Sequence, residues 1–217
     1  MANNPTIIDT TAAFVQQELA GAEGGHDWWH IYRVWRQARQ IAAEEKANML
    51  VVELAALLHD IADPKFHQGD EHIGPAKAAA FMAAHNIPAD IATHVENIIR
   101  HMSFKNGLEE RSFYSPEMGV VQDADRLDAM GAIGIARAFN YGGFKNRALY
   151  NPAIPPNLQM TKEAYKHSSA PTINHFYEKL LLLKDRMNTA TGRRLAEERH
   201  RYMEGFLDRF YREWEGE

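Results

Sequence analysis

Residues 49–62 of this 217-residue chain, MLVVELAALLHDIA, limit the possible folds more than any other segment. Up to His59 the segment is apolar on nearly every side of a helix, and such a helix is normally surrounded by other elements. We therefore expect it to lie at the centre of a helical bundle, with the other helices packed around it.

Helical periodicity extends through most of the remaining sequence, where apolar residues recur at intervals of three and four. Besides 49–62, the predicted helices cover approximately residues 7–19, 27–41, 75–85, 88–102, 116–139, 173–189 and 193–214. Ser115-Pro116-Glu117 is a typical helix start, and Gly142-Gly143 is expected to end the helix that begins there. No segment shows the alternation of a strand, so we predict an all-α fold. Residues 144–171, which contain four prolines, form a long loop of the kind found as a lid, a binding loop or a disordered segment.

The composition excludes several functional classes. Because the chain has no Cys, it cannot contain a disulfide framework, a Cys-type zinc finger or an iron–sulfur cluster. The 24 Lys and Arg against 29 Asp and Glu give a net charge of −5, which argues against non-specific nucleic-acid binding. No apolar stretch approaches the ~20 residues of a bilayer span, and the first residues lack the pattern of a signal peptide. We expect a cytoplasmic protein of one domain, residues 1–217.

Acidic residues and histidines concentrate at four places within otherwise apolar helices. These are His26, Asp27, His30 and Arg33; His59, Asp60, Asp63 and Lys65; Arg100 and His101; and Asp123, Asp125, Arg126 and Asp128. An imidazole and a carboxylate at the end of a buried helix need partners, because an unpaired buried charge is costly. A divalent cation would satisfy both His59 and Asp60, as would an arginine or the capping of a neighbouring helix.

The order of these four places resembles the HD-domain superfamily of metal-dependent phosphohydrolases. The resemblance is carried by His30 in HIYRV, by His59-Asp60 in AALLHDIAD and by Asp125 in DADRLD. It extends from about residue 26 to residue 138, and the segments NHFYEKLLLLKDRMNT and RHRYMEGFL resemble the C-terminal part of one bacterial subfamily. The resemblance implies an HD-domain helical bundle with additional C-terminal helices. Its core would cover residues 22–142, followed by a loop (143–172) and C-terminal helices (173–215).

The resemblance also implies a set of metal ligands, namely His30, His59, Asp60 and Asp125. Nitrogen and oxygen ligands of this kind suit Mn²⁺, Mg²⁺, Fe²⁺, Ni²⁺ or Zn²⁺, and four of them leave two open positions on an octahedral ion. His26 shares a helix face with His30 and is a candidate for supporting a ligand, facing the substrate or starting the helix. Asp123 lies about 200° around the helix from Asp125 and is expected to be a structural acceptor. Asp128 is a candidate for holding the substrate or orienting a ligand histidine.

The implied reaction is hydrolysis of a phosphoester or phosphoanhydride, in which the ion polarises a phosphoryl oxygen and activates a water. Asp63, one turn past His59, is the candidate general base; related ppGpp hydrolases carry a catalytic acid there, although Pro64 replaces their neighbouring acid. Arg33, Lys65 and Arg126 are candidates for stabilising phosphate charge, or else are solvated or paired with an acid. His101 is a candidate for binding a substrate phosphate or donating a proton, and we expect a single metal ion.

A nucleotide is the expected substrate. Aromatic and cationic residues of the loop, including Arg147 and Tyr150, suit base stacking and phosphate binding, and His175 and Lys179 share a helix face nearby. The alternative, which the pattern favours for that helix, is that Phe176, Leu180 and Leu183 build the bundle and Lys179 is exposed. The subfamily resemblance suggests cleavage of a nucleoside triphosphate to monophosphate and pyrophosphate, and the residues do not distinguish this from a monophosphatase.

Two other interpretations remain open. In one, the chain is a regulatory module that binds metal and nucleotide without turnover; in the other, it is a helical scaffold without metal. Neither nucleic acid nor membrane is an expected partner. A homodimer through the last helix is possible, by way of Phe206, Leu207, Phe210 and Trp214, although core packing explains the same spacing.

Overall fold

The computed structural model describes residues 6–21, 27–62, 72–102, 113–159 and 168–217. Within these ranges the regular structure is helical and no strand occurs, so the all-α prediction is confirmed. The α-helices are α1 (Ile7–Glu18), α2 (Trp28–Glu45), α3 (Met49–Leu58), α4 (Ile73–Ala84), α5 (Ala89–His101), α6 (Pro116–Asp128), α7 (Gly131–Phe144), α8 (Thr172–Glu178) and α9 (Ala190–Trp214). A 3₁₀ helix, Leu180–Arg186, lies between α8 and α9.

The described chain divides into two compact units, Met1–Ala124 and Asp125–Glu217. None of its helices is both long enough and apolar enough to cross a bilayer. The prediction that residues 1–217 form one domain stays a prediction.

The first unit is built around α3, which contacts α1, α2 and α5. Seven of its ten residues are buried, including every residue from Leu54 to Leu58. Its start is fixed by Asn48, whose side-chain oxygen accepts a hydrogen bond from the Val51 N–H at 3.4 Å. The Asn48 N–H in turn donates to Glu117 Oε1 at 3.0 Å, which ties the start of α3 to the first turn of α6. The central position expected for this helix is therefore confirmed within the first unit.

The predicted helix over residues 116–139 is wrong, because the chain breaks it into α6 and α7. Met130 is extended (φ −120°, ψ 164°) and Gly131 has a φ of +67°, a conformation that glycine adopts at little cost. The prediction that Gly142-Gly143 ends this helix is also wrong, since α7 continues to Phe144. The predicted helix over 173–189 is replaced by α8 and the 3₁₀ helix, separated at Lys179 (φ −145°, ψ −57°).

The second unit is built around aromatic rings from three helices. The ring centroids of Phe139 on α7, Phe176 on α8 and Phe206 on α9 lie 5.9–6.0 Å apart, distances that suit favourable ring packing. The Arg199 guanidinium on α9 donates to the Leu127 carbonyl at the end of α6, which helps to satisfy a helix end.

Gly142 and Gly143 give a test of this packing. A Cβ added at Gly142 would collide with the Thr172 side chain, whereas one added at Gly143 meets nothing within 4 Å. We expect Gly142→Ala to lower the free energy of unfolding by ~1–3 kcal/mol and Gly143→Ala to raise it by up to ~1 kcal/mol, because alanine is the better helix former. Denaturant unfolding of both variants measures the difference, and equal effects would contradict the close contact between α7 and α8.

Candidate metal centre

His30 is held in the first turn of α2 by the residue that caps the helix. The Asp27 carboxylate accepts a hydrogen bond from the His30 N–H at 2.9 Å, and the helix starts at the next residue, Trp28. His30 is only 2% exposed and shares a helix face with Val34, which is fully buried, as is Ile31. The imidazole is therefore placed inside the first unit rather than in solvent.

His59 and Asp60 directly follow the buried helix α3. The Nδ1–H of His59 donates to the Ala56 carbonyl at 2.8 Å, and because a carbonyl can only accept, the second ring nitrogen, Nε2, carries the lone pair. A backbone partner that fixes the tautomer in this way is usual for metal-binding histidines. His85 and His101 make similar bonds to backbone carbonyls at 2.9 and 2.8 Å, so this bond alone does not mark a ligand.

The distinguishing feature is that three donor groups converge. His30, His59 and Asp60 each offer one ligand atom, and these atoms lie within 4.8 Å of one another. The two imidazole rings are 5.6 Å apart and inclined at 69°, so that they meet edge to face rather than stack. Two nitrogens and a carboxylate oxygen form a donor set that fits a divalent cation of the first transition row.

The fourth predicted ligand, Asp125, lies in α6 and is the first residue of the second unit. It is partly buried, whereas Asp123 is fully buried. Asp125 as a ligand and Asp123 as a structural acceptor both stay predictions.

Two further predicted site residues near the end of α6 have partners within the second unit. Asp128, only 4% exposed, accepts a hydrogen bond from Arg137 Nη1 at 2.6 Å, and Arg126 Nη1 donates to the Arg186 carbonyl at 2.6 Å. Neither Arg137 nor Arg186 was predicted as a partner, because each is brought to its partner by the tertiary fold and not by helical spacing. The predicted role of Asp128 in holding a substrate or orienting a ligand histidine, and that of Arg126 in stabilising phosphate charge, stay predictions.

The other residues predicted around the metal divide into two groups. His26, Asp63 and Lys65 lie outside the described residues. Arg33 is partly buried on α2, and His101 is partly buried at the end of α5, where its ring lies 5.5 Å from that of Phe113.

Asp27 was not predicted to support the site. Its position directly before the first helical residue is the signal that could have identified it as a cap.

In the second unit, Tyr150 and Arg147 already have partners. The Tyr150 ring lies 5.1–6.0 Å from the rings of Phe210, Tyr211 and Trp214, and Arg147 Nη2 donates to the Ser168 carbonyl at 2.6 Å. Their predicted contacts with a nucleotide remain untested.

His175 and Lys179 lie on α8 and at its C-terminal cap. Phe176, Leu180 and Leu183 are buried, as the structural interpretation of this segment expects, but Lys179 is partly buried rather than exposed. Burial, reinforced by the positive charges of Lys179 and Arg147, lowers the pKa of His175 from 6.5 to about 3.

Comparisons with known proteins give a consistent result. A family model for the HD domain matches residues 28–130. The YpgQ protein of Bacillus subtilis (strain 168) is 40% identical over 195 residues, which are 89% of this chain and 87% of that protein. A crystal structure of an HD-superfamily hydrolase from Bacillus thuringiensis matches with a TM-score of 0.77 and 42% identity, covering 97% of each chain. The crystal structure of Bacillus subtilis YpgQ in complex with ADP matches with a TM-score of 0.73 and 37% identity, covering 95% of this chain and 97% of that one.

The donor cluster predicts the effect of single substitutions on metal content. We expect His59→Ala and Asp60→Ala to lower the amount of metal that co-purifies with the protein, because each removes one of three converging ligand atoms. His85→Ala is the matched control, since that exposed histidine makes a similar backbone bond but is not part of the cluster. Elemental analysis of the purified variants measures the change, and equal metal content in all three would refute the site.

The lowered pKa of His175 predicts a pH-dependent stability. The folded chain protonates His175 only near pH 3 and the unfolded chain near 6.5, so stability falls as the pH decreases from 6.5 toward 3. Between about pH 7 and about pH 5.5 this group alone should cost ~1 kcal/mol. Denaturant unfolding at both pH values should show a smaller loss in His175→Gln than in the parent protein; identical losses would contradict the burial of this imidazole.

Proposed function

We propose that this chain, which belongs to the HD domain family, hydrolyses a phosphoester or phosphoanhydride bond of a nucleotide with the help of a divalent metal ion. The family resemblance seen in the sequence is thereby confirmed, and similar solved structures include an HD-superfamily hydrolase. The observation that carries the proposal is the convergence of His30, His59 and Asp60.

The chemistry of these side chains supports hydrolysis. A divalent ion, when bound, acts as a Lewis acid on a phosphoryl oxygen and lowers the pKa of water. His59 presents Nε2 because Ala56 holds its other nitrogen, and the Asp27 cap fixes the backbone position of His30. The carboxylate of Asp60 brings negative charge to this cluster, so that a dication is neutralised in part before it meets the negative charge of a phosphate.

The remaining predicted roles come from the sequence. We assign Asp125 as the fourth ligand and Asp63 as the general base. Arg33 and Lys65 are assigned to stabilise the negative charge that develops on the phosphate during the reaction. Positively charged groups placed around a reacting phosphoryl group stabilise its transition state. The effect of Asp125→Ala on metal content tests the first of these assignments independently of turnover.

A nucleotide is the favoured substrate class because the relative YpgQ of Bacillus subtilis has been crystallised with ADP. The product shows which bond is broken. Release of pyrophosphate from a nucleoside triphosphate would indicate cleavage between the α and β phosphates, and release of inorganic phosphate from mono-, di- and triphosphates would indicate cleavage at the terminal phosphate.

A product-resolved assay tests this proposal. Purified protein with added Mn²⁺ is incubated with ribo- and deoxyribonucleoside mono-, di- and triphosphates, and phosphate and pyrophosphate are measured separately. We expect turnover with at least one class, and a fall of more than ~100-fold in Asp60→Asn. Asp90→Asn is the matched control, since it makes the same chemical change at an exposed position of the first unit.

Two outcomes would refute the proposal of metal-dependent hydrolysis at this cluster. Metal-loaded protein that binds nucleotide but releases neither product would support the alternative of a regulatory module without turnover. Equal turnover by Asp60→Asn and the parent protein would mean that hydrolysis does not depend on the cluster.

A further inference from the structure

The last turn of α6 carries Asp125, the residue assigned as the fourth metal ligand, and α6 ends at Asp128. The carbonyl groups in the last turn of a helix have no partner within that helix and need donors from elsewhere. One such donor comes from α9, where the Arg199 guanidinium donates to the Leu127 carbonyl. The turn that carries Asp125 is therefore held by a residue 72 positions further along the chain than Leu127.

The Arg199 side chain is held at its stem as well as at its guanidinium. Its methylene groups lie against Gly131, the residue with a φ of +67° at the break between α6 and α7. A Cβ added at Gly131 would be only 3.1 Å from Arg199 Cγ and 3.3 Å from Arg199 Cβ. The stem thus packs on the helix break itself, and a cation in this position is also favoured by the dipole of α6.

Residues on both sides of Leu127 are tied to other elements of the second unit. Asp128, which is buried, accepts a hydrogen bond from Arg137 Nη1 on α7 at 2.6 Å. Arg126 Nη1 donates to the Arg186 carbonyl, at the end of the 3₁₀ helix, at 2.6 Å. The last turn of α6 is consequently connected to α7, α9 and the 3₁₀ helix.

A carboxylate ligand contributes most to affinity when the backbone that carries it already has the required position, and residues that support ligands in this way strongly affect metal binding. We propose that Arg199 is a positioning residue for the metal centre, because its bond to the Leu127 carbonyl fixes the turn that carries Asp125. This role rests on the proposed function, since it takes Asp125 as a ligand. It makes α9 necessary for tight metal binding, although no residue of α9 is assigned as a ligand.

Binding of Mn²⁺ to the metal-free chain tests this role without turnover. The protein is treated with EDTA, dialysed and titrated with Mn²⁺, and the electron paramagnetic resonance signal of free Mn²⁺ gives the dissociation constant. Arg199→Met keeps a stem against Gly131 and removes the donors, so we expect the dissociation constant to rise about tenfold. Arg199→Lys keeps a charged donor at the end of the stem and should restore most of the affinity.

A second arginine of α9 provides the matched control. Arg193 Nη1 donates to the Met187 and Asn188 carbonyls at 3.2 and 3.1 Å, and these carbonyls lie just before α9 rather than in α6. Arg193→Met makes the same chemical change and also removes bonds to backbone carbonyls. It should leave the Mn²⁺ dissociation constant within about twofold of the parent value, because α6 keeps its donor.

A double-mutant cycle separates the positioning of Asp125 from a general loss of structure. In Asp125→Ala there is no carboxylate to position, so adding Arg199→Met should weaken Mn²⁺ binding by less than about twofold more. Amide hydrogen exchange of the metal-free chain gives an independent readout. The Met130 N–H, which donates to the Leu127 carbonyl at 3.0 Å, should exchange faster in Arg199→Met than in Arg193→Met.

Three results would overturn this role: parent-like Mn²⁺ affinity in Arg199→Met, an equal loss in Arg193→Met, or an equal loss when Arg199→Met is added to Asp125→Ala. Circular dichroism at the titration temperature establishes that each variant is folded, and Arg199→Gln replaces Arg199→Met in every comparison if the latter does not fold.

The Asp125→Ala variant also distinguishes the two proposals. If it binds Mn²⁺ as tightly as the parent protein, the assignment of the fourth ligand fails and the role of Arg199 fails with it. If Asp125→Ala binds Mn²⁺ weakly while Arg199→Met binds it like the parent, only the role of Arg199 is refuted, and metal-dependent hydrolysis is unaffected.

Discussion

Burial of α3 is the constraint on which the first unit depends. A helix whose residues Leu54–Leu58 are all buried must be enclosed by neighbours, and α1, α2 and α5 provide them. The same helix delivers His59 and Asp60 directly after its last apolar residue, where the chain is only partly buried. An imidazole and a carboxylate at such a position need polar partners, because an unsatisfied buried polar group is costly. His30 on the adjoining helix α2 adds a third donor, so the core that fixes the fold of the first unit also positions the candidate metal centre.

Hydrogen bonds at helix starts make this placement rigid. Asp27 caps α2 and lies three residues before His30, and Asn48 caps α3, which ends directly before His59. Glu117 joins the start of α3 to that of α6, while Ser115 accepts from the Met118 N–H at 3.1 Å and lies 2.8 Å from His94 Nε2. Preorganisation of this kind lets ligand side chains meet an ion without a further loss of conformational entropy.

Periodicity was sufficient to predict where helices occur and insufficient to predict how they are interrupted. The apolar spacing continues across Met130-Gly131, and the break shows only in the backbone, where Met130 is extended and Gly131 has a positive φ. Likewise Leu180–Arg186 has the apolar content of an α-helix, and nothing in that content separates it from the 3₁₀ helix observed. At the candidate metal centre, the resemblance to the HD-domain superfamily implied His30, His59 and Asp60 as ligands, and the structure brings these three side chains together. The pairing of Asp128 with Arg137 spans that helix break, so no helical spacing could have predicted it.

The absence of Cys from the sequence narrows the choice of metal further once the donor cluster is known. The described donors are two imidazoles and one carboxylate, and the chain has no Cys that could supply a thiolate ligand. Mg²⁺ prefers oxygen ligands and retains its waters, so two nitrogen donors suit it poorly. Imidazole suits Fe²⁺, Ni²⁺ and Zn²⁺ and tolerates Mn²⁺, and among these the intrinsic affinity rises from Mn²⁺ toward Ni²⁺. Affinity for the site and activation of a bound water are different properties of an ion, so the metal that binds most strongly need not be the one that supports the highest turnover.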